Sequence, residues 1–456
     1  MESESAERMN AQALDLRARG DVAGARSVFE RAVACFPGEW TLHVNRAFVL
    51  AEGGDVDGAL RSYDQAIALA PRALEAHVAK GFLLFGYTRN DEALAAFRAA
   101  LAIDPYETRA NLALYELMHV LGDLPAARAH QLRALERQRL FSSHAPDERR
   151  RVLVLCAPGD LQANVPVDFL FDLRTTTVHK LFLLDAQRLA SQALPAYDVI
   201  FNAIAESPGT VGALALAEHF VRGASVPVIN PPANVARTER TALAHALRGT
   251  ACRLAPIVRV RRDALDPERP PLPYPLIARP VGSHAGHGLE KLDDPSAMRA
   301  YLRDAADELF VSEFVDYRSA DGLYRKYRII CVDGEPYPCH EAISPRWMIH
   351  YYNAPMAEHA WMREEEARFL SQFHQVFGPA QRDALRALAG ALELEYVGVD
   401  CTLDRDGNVL VFEADPAMIV HVSDPADLYP YKREHVPRIF RAVEAMLDRR
   451  IATLRA

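Results

Sequence analysis

Small and aromatic apolar positions recur with a fixed step along the first third of the chain. Pro37, Pro71 and Pro105 are spaced by 34 residues, as are Ala32, Ala66 and Ala100, Ala25, Ala59 and Ala93, and Phe29, Tyr63 and Phe97. Ala13, Ala47 and Gly81 keep the same step in a preceding segment, and Gly20-Asp21 and Gly54-Asp55 punctuate the intervals. The stretch 122–135 reads as a fourth, drifting copy. Gly122-Asp123, Ala127 and Ala134 stay in register, but Gln131 stands where the aromatic belongs. Small residues let two helices approach closely, the aromatic fills the gap between units, and the proline ends the second helix. The pattern predicts helix–turn–helix repeats over residues 1–140. One unit cannot bury its apolar face alone, so the units must stack.

Beyond the polar stretch FSSHAPDERRR, which reads as a linker, the pattern changes to short apolar runs. RVLVLCAP (151–158), KLFLLD (180–185), YDVIFNAI (197–204) and VPVINPP (226–232) read as strands, with a helix over 211–223. Strands alternating with helices predict a parallel sheet over 150–235, with ligands outside the carboxyl ends of its strands. Asn202, Glu206 and Asn230 fall at such ends, as substrate contacts or as turn and cap residues. From Leu272 onward longer strands follow at 308–316, 327–344 and 397–416, the last two with hairpin signals at Asp333-Gly334 and Asp406-Gly407-Asn408. An antiparallel sheet of this kind can sandwich a flat base while its polar positions face phosphate and metal.

The chain has 456 residues, half of them apolar, and a net charge of -9, which argues against a large nucleic-acid footprint. The N-terminal stretch lacks the apolar core of a signal peptide, and no apolar run approaches the roughly 20 residues that span a bilayer. A cytoplasmic protein with neither nucleic acid nor membrane as partner is expected. The six cysteines form no Cys-x-x-Cys pair and read as small buried hydrophobes. The 34-residue period resembles the tetratricopeptide repeat. Its concave face would take a peptide or protein partner, or the array would serve as internal scaffold or homodimer contact.

The strongest candidate chemistry lies near the C-terminus. Glu413 and Asp415 are two residues apart on one strand, so both point to one face, and Asp400 lies on the partner strand. Three carboxylates at one place repel one another and call for a cation, and hard oxygen ligands suit magnesium. With these residues the chain resembles the ATP-grasp superfamily, near D-alanine–D-alanine ligase, glutathione synthetase and the RimK-type ligases. Those families carry Asp on one strand and Glu-x-Asn on the next; here Asp415 replaces the Asn.

The resemblance implies the remaining roles. PLIARP (275–280) matches the strand whose lysine contacts phosphate, here Arg279. GSHAGHG (282–288) matches the mobile loop over the triphosphate, with Gly282, Ser283, His284, Gly286 and Gly288 as donors or close-approach positions. VSEFV (311–315) matches the hinge that meets adenine through Glu313, Phe314 and Val315. KYRIICVDGE gives the catalytic arginine, Arg328. Lys326 stands where relatives have the ribose-binding acid and is counted with the nucleotide site, which leaves ribose to Asp316 or Asp321. Arg240 stands for the first phosphate-binding lysine, or is a solvated helix arginine. Tyr351, Tyr352 and Asn353, in an aromatic loop, are acceptor contacts or pack against the repeats. His340, His350 and His421 are structural or near the reaction.

The expected architecture is therefore an α+β multidomain chain. An all-α tetratricopeptide solenoid occupies 1–140. An α/β pre-ATP-grasp (substrate) domain follows over 150–235, and a two-lobed α+β ATP-grasp domain over 236–456. The implied activity joins a carboxylate to an amine with ATP and Mg2+ through an acyl phosphate. A kinase of a small acid or alcohol on the same fold, or a scaffold with a degenerate ATP-grasp domain, are the alternatives.

Overall fold

The computed structural model describes residues 5–160, 162–283, 286–350 and 353–455. It divides into two compact units, Met1–Arg139 and Leu140–Ala456. The first consists, among the described residues, of helices α1 (Ala6–Ala18), α2 (Val22–Cys35), α3 (Trp40–Glu52), α4 (Val56–Leu69), α5 (Leu74–Gly86), α6 (Asn90–Ile103), α7 (Thr108–Val120) and α8 (Leu124–Arg137). They form four successive pairs. Asp21, Asp55 and Asp123 cap the second helix of their pairs by accepting from the backbone N–H groups of Gly24, Gly58 and Ala126 at 2.8, 2.9 and 3.1 Å. The preceding Gly20, Gly54 and Gly122 sit at φ of 83, 81 and 79°. The third repeat departs from this turn. Thr88 is held at φ 56°, a conformation a β-branched residue rarely adopts, and Arg89 provides no side-chain cap.

The periodic alanines are buried, and Phe29, Tyr63 and Phe97 fill the space between helices. Gln131 is buried in the equivalent place of the fourth repeat. A second device has the same period and escaped the sequence reading. His43 and His77 Nε2 meet the carbonyls of Pro37 and Pro71 at 3.1 and 2.9 Å, and Asn111 Nδ2 donates to that of Pro105 at 3.0 Å. Each ties the first helix of a repeat to the proline that ended the one before. Gly81 marks a close approach of two paired helices, because a Cβ there would lie 2.5 Å from Phe97 Cε1. Gly81→Ala is therefore expected to cost about 1–3 kcal/mol by overpacking, despite alanine's better helix propensity. A lower unfolding midpoint of the helical signal would register it; an unchanged or raised midpoint would contradict this packing.

Among its described residues the second unit contains three sheets. The first has the order β1-β3-β2-β4-β5, from β1 (Leu140–Ser143), β2 (Arg150–Cys156), β3 (Thr176–Phe182), β4 (Val199–Asn202) and β5 (Val228–Ile229). Helices α9 (Val167–Leu170), α10 (Ala186–Ala190) and α11 (Val211–Val221) lie between its strands. β2 to β5 are parallel, but β1 runs antiparallel along β3. The stretch read as a polar linker thus begins with an edge strand, and the unit starts at Leu140 rather than 150. Phe141 meets Phe182 edge-on at 5.9 Å across that pair. β5 is shorter than its apolar run because Pro227, Pro231 and Pro232 supply no N–H for a ladder.

The chain continues through α12 (Pro232–Val235), α13 (Arg240–Ala246), β6 (Arg253–Leu254) and β7 (Ile257–Arg261). β8 (Leu276–Pro280), β9 (Glu290–Leu292), α14 (Pro295–Leu302) and β10 (Glu308–Glu313) follow. β7, β10, β8 and β9 form, in that order, an antiparallel second sheet. β7 was not anticipated; its alternation of Ile257, Val258 and Val260 with arginines is short and its edge position leaves it half-exposed.

The third sheet has the order β12-β11-β13-β14-β6, from β11 (Tyr324–Val332), β12 (Glu335–Ser344), β13 (Tyr396–Leu403) and β14 (Val409–Asp415). Helices α15 (Ala360–Ser371), α16 (Phe373–Val376) and α17 (Pro379–Leu392) precede β13, and α18 (Pro430–His435) and α19 (Pro437–Arg455) close the chain. Val154, Phe201 and Ile229 of the first sheet share a core with Ile330, Tyr396 and Met446. Asn230 locks the two sheets together: its Nδ2 donates to the Tyr396 carbonyl at 2.7 Å and its Oδ1 accepts from Tyr396 N at 2.9 Å. Asn230 is thus a structural clamp. With that shared core, the stretches 150–235 and 236–456 make one contact unit.

Candidate functional site

The site is set by which way the third sheet's side chains point. On β11, Tyr327, Ile329 and Cys331 pack towards α17, and on β13 so do Val397, Val399 and Cys401. Period-two alternation leaves Lys326, Arg328 and Asp400 on the opposite face. β14 needs one more device. Val409 and Val411 also face the helices, so strict alternation would send Glu413 and Asp415 there too. A bulge intervenes. Cys401 pairs with Val411 but Asp400 pairs with Glu413, leaving Phe412 as the extra residue. After it Ala414 faces the helices, and Glu413 and Asp415 join Asp400 on the pocket face.

Each carboxylate there is held. Asp400 is nearly inaccessible and accepts from Arg328 Nε at 2.8 Å, Arg328 Nη2 at 3.1 Å and Lys326 Nζ at 3.0 Å. Burial opposes its charge, but Arg328 and Lys326 outweigh it and keep the carboxyl well below the usual range. Glu413 pairs with Arg240, which also donates to the Phe412 carbonyl at 2.9 Å. Burial again opposes ionisation, and Arg240 holds Glu413 low. Asp415 accepts only a backbone bond in this group, from Ala417 N at 2.7 Å. Burial, with the charge of Glu413 beside it, pushes Asp415 up to about 7. The three carboxylates therefore share one wall. Among the described residues no three acidic, His or Cys groups converge on a single point, because two of these carboxylates are drawn onto neighbouring cations.

Arg279, at the end of β8, is different. Its Nε donates to Ser283 Oγ at 3.2 Å and its Nη2 to the Ser283 carbonyl, so its hydrogen bonds go to neutral oxygens. Burial, reinforced by Arg240, lowers it to about 10. The following loop is shaped by glycine. Gly282, Gly286 and Gly288 have φ of 74, 75 and 64°, and a Cβ on Gly282 or Gly288 would meet Pro208 or Pro280 at 2.8 Å. Ser283 Oγ donates to the Pro280 carbonyl at 2.8 Å. His284 lies outside the described residues.

Arg240, Arg279, Lys326, Arg328 and the three carboxylates line one pocket of about 760 Å³. Its other end is apolar, with Ile257, Ile277, Phe310, Leu410 and Trp347 around Glu313, Phe314 and Val315. The backbone N–H groups of Glu313 and Phe314 are spent on the carbonyls of Pro256 and Pro275 at 3.0 and 3.1 Å. Of the expected hinge residues, Val315 alone keeps its N–H out of such a bond among the described residues.

Four expected contacts are corrected. Asn202 is fully buried at the end of β4, its Oδ1 accepting from Ile204 N at 3.3 Å, and does not reach the pocket. Asp321 is drawn onto Arg325 at 2.8 Å, outside the pocket, and Asp316 onto Arg318 at 2.6 Å. Glu206 is not a pocket wall either. It lies half-buried near enough to Asp415 to affect its charge, and burial, then Glu239, pushes it up. Asn353 lines the pocket and binds its own loop, accepting from His350 N at 2.8 Å. Tyr351 and Tyr352 lie outside the described residues. His340, His350 and His421 all line the pocket. Burial, with Arg328 and Lys432 nearby, pushes His340 well below the usual imidazole range.

Lys432, Asp424 and Glu366 went unnoticed in the sequence. PYKREH and REEEAR are strongly charged stretches, yet Lys432 and Glu366 are buried. Only the sheet packing on both helices reveals it.

A tetratricopeptide-repeat family model matches residues 10–73 and 44–108. The N-terminal unit carries tetratricopeptide repeats. A MamA crystal structure is 17% identical, with a TM-score of 0.28 over 29% of this chain and 78% of that one. The Arabidopsis OM64 TPR domain is 22% identical, with a TM-score of 0.24 over 25% of this chain and 95% of that one. The first TPR of Spaghetti (RPAP3), solved with an HSP90 peptide, is 19% identical, with a TM-score of 0.25 over 27% of this chain and 97% of that one. No curated protein matches the chain. After the repeats the chain is built of mixed α/β sheets.

Proposed function

We propose that the protein is an ATP-dependent carboxylate–amine ligase of the ATP-grasp type, with the repeats holding a peptide, carrier or partner protein. One observation carries this reading. A single pocket joins an apolar cleft to Arg279, a desolvated guanidinium whose hydrogen bonds among the described residues go to neutral oxygens, beside a wall of three carboxylates. A flat base fits the cleft, a polyphosphate offers Arg279 an anionic partner, and the carboxylates suit a hard divalent cation. The donors are hard carboxylate oxygens of the kind magnesium takes, and burial first, then the charge of Glu413, raises Asp415 to about 7.

Asp400, Glu413 and Asp415 would hold the metal, which when bound neutralises phosphate charge. Val315 N–H, outside any backbone hydrogen bond among the described residues, would meet the base edge. Arg279 binds the phosphate oxygens to be transferred, while Arg328, held in place by Asp400, faces the oxyanion of the acyl centre. The glycine loop lets backbone N–H groups approach the phosphates and shields the acyl phosphate from water. The substrate carboxylate attacks the γ-phosphate, releasing ADP. The amine then attacks the acyl carbon and expels phosphate.

The test is ADP release with pools of amino acids and short peptides. Turnover should need both an acid and an amine, vanish on chelation of the metal, and fall about 10²–10³-fold in Glu413→Gln. Phosphorylated acid without amine consumption would identify a kinase instead. No turnover together with no nucleotide binding would leave a repeat scaffold.

A further inference from the structure

After Glu413 and Asp415 the chain goes on lining the pocket with Ala417, Met418 and Ile419. This segment is fixed. Ala417 N donates to Asp415 Oδ1 at 2.7 Å, and the Tyr396 hydroxyl to the Met418 carbonyl at 3.2 Å. Met418 lies on Gly398, where an added Cβ would be 2.5 Å from Met418 Cβ. Gly398 is also the register partner of Asp415, so its missing side chain lets the segment fold back over the sheet beside the carboxylates. Ala417, Met418 and Val420 enter the core shared by the first and third sheets. Ile419, between them, is left 41% exposed and lines the pocket. A second segment, next to the first sheet, repeats the device. Val167, Leu170 and Phe171 enter the same core, while Phe169 on α9 is 54% exposed and lines the same pocket. The loop before α9 is tied down. Asn164 Oδ1 accepts from Ala157 N at 2.7 Å, its Nδ2 donates to the Ala157 carbonyl at 2.8 Å, and Val165 N donates to the Ala203 carbonyl at 2.7 Å.

One large apolar side chain open to water is ordinary. Here two stand on separate anchored segments, each held out of one core by buried neighbours, and both line one pocket. That is a prepared apolar surface inside a binding site. We propose that Phe169 and Ile419 form a side-chain subsite for the acid substrate, which carries a bulky apolar group, aromatic or branched aliphatic. The acid is the occupant because of where the subsite begins. Gly398 adjoins both Asp415 and Met418, so the carbon chain behind an acyl centre at the carboxylate wall is the group that meets Met418 and then Ile419. This rests on the ligase reading and names the class of its acid.

The test uses the full chain and three probes, 4-methylpentanoate, acetate and 4-methylpentylamine, titrated by ligand-observed NMR with and without a non-hydrolysable ATP analogue and magnesium. 4-Methylpentanoate should bind at least about ten-fold more tightly than acetate, and more tightly than the amine of equal length. Phe169→Ala and Ile419→Ala should each weaken it about five-fold while acetate and analogue affinities stay within about two-fold. Both side chains are exposed, so the unfolding midpoints of the variants should match wild type. Equal affinity for the two acids, preference for the amine, or undiminished 4-methylpentanoate binding in both variants would overturn the assignment. Absence of analogue binding would count against the ligase reading alone, since the contrast between 4-methylpentanoate and acetate in the nucleotide-free chain still reports on the subsite.

Discussion

Asp400→Asn is expected to lower stability by about 3–5 kcal/mol, more than any other single change in the pocket. The reason is not the lost hydrogen bonds alone. Arg328 and Lys326 are both largely withdrawn from water, and Asp400 is the carboxylate that both of them bind. Removing its charge leaves two cations side by side in a poor dielectric. The effect has a pH signature. Asp400 is depressed in the folded state, so its contribution is fully present above the ordinary carboxylate range and fades as pH falls below it. Wild type and variant should therefore differ most near neutrality and converge in acid. Chemical denaturation of both proteins at several pH values measures this. A constant gap would mean that Asp400 acts through shape and not through charge.

Arg279→Ala should give the opposite profile. Its partners are the hydroxyl and carbonyl of Ser283, so the fold loses little, and one desolvated charge is removed. Stability is expected to change by no more than about 1 kcal/mol. Turnover, and the thermal stabilisation conferred by an ATP analogue, should fall by about 10²–10³-fold in the corresponding constants. Arg279→Lys, which keeps the charge and loses the fork, should retain part of both. Thermal unfolding with and without the analogue separates the two variants. Asp400→Asn lowers the baseline midpoint, and Arg279→Ala abolishes the ligand-induced shift from a near-normal baseline. A large baseline loss in Arg279→Ala would mean that the guanidinium serves the fold.

The repeat unit was legible because its period repeats the same steric demand. Alanine, aromatic and proline recur wherever helices touch, and the burial of Ala25, Ala59 and Ala93 follows. The hairpin strands were legible for a similar reason, through Asp333-Gly334 and Asp406-Gly407-Asn408. The orientation of Glu413 was not. It depends on the bulge at Phe412, which arises from pairing between strands and has no local sequence mark. Edge strand β1 hid in a polar stretch because its second half, Ser142 and Ser143, is exposed. Lys432 and Glu366 hid among charged neighbours because their burial is decided by packing between distant segments. Asn202 misled for the converse reason: a polar residue at a strand end is as often sealed beneath the next helix as offered to a ligand.

The claim that underlies the functional reading is that a nucleoside triphosphate binds with magnesium between the apolar cleft and Arg279. Calorimetric titration of the full chain with a non-hydrolysable ATP analogue, with magnesium and again with chelator, tests it most directly. Saturable one-to-one binding that weakens at least about ten-fold without the metal is the expected result. No heat in either condition, or binding indifferent to both magnesium and Arg279→Ala, would contradict it.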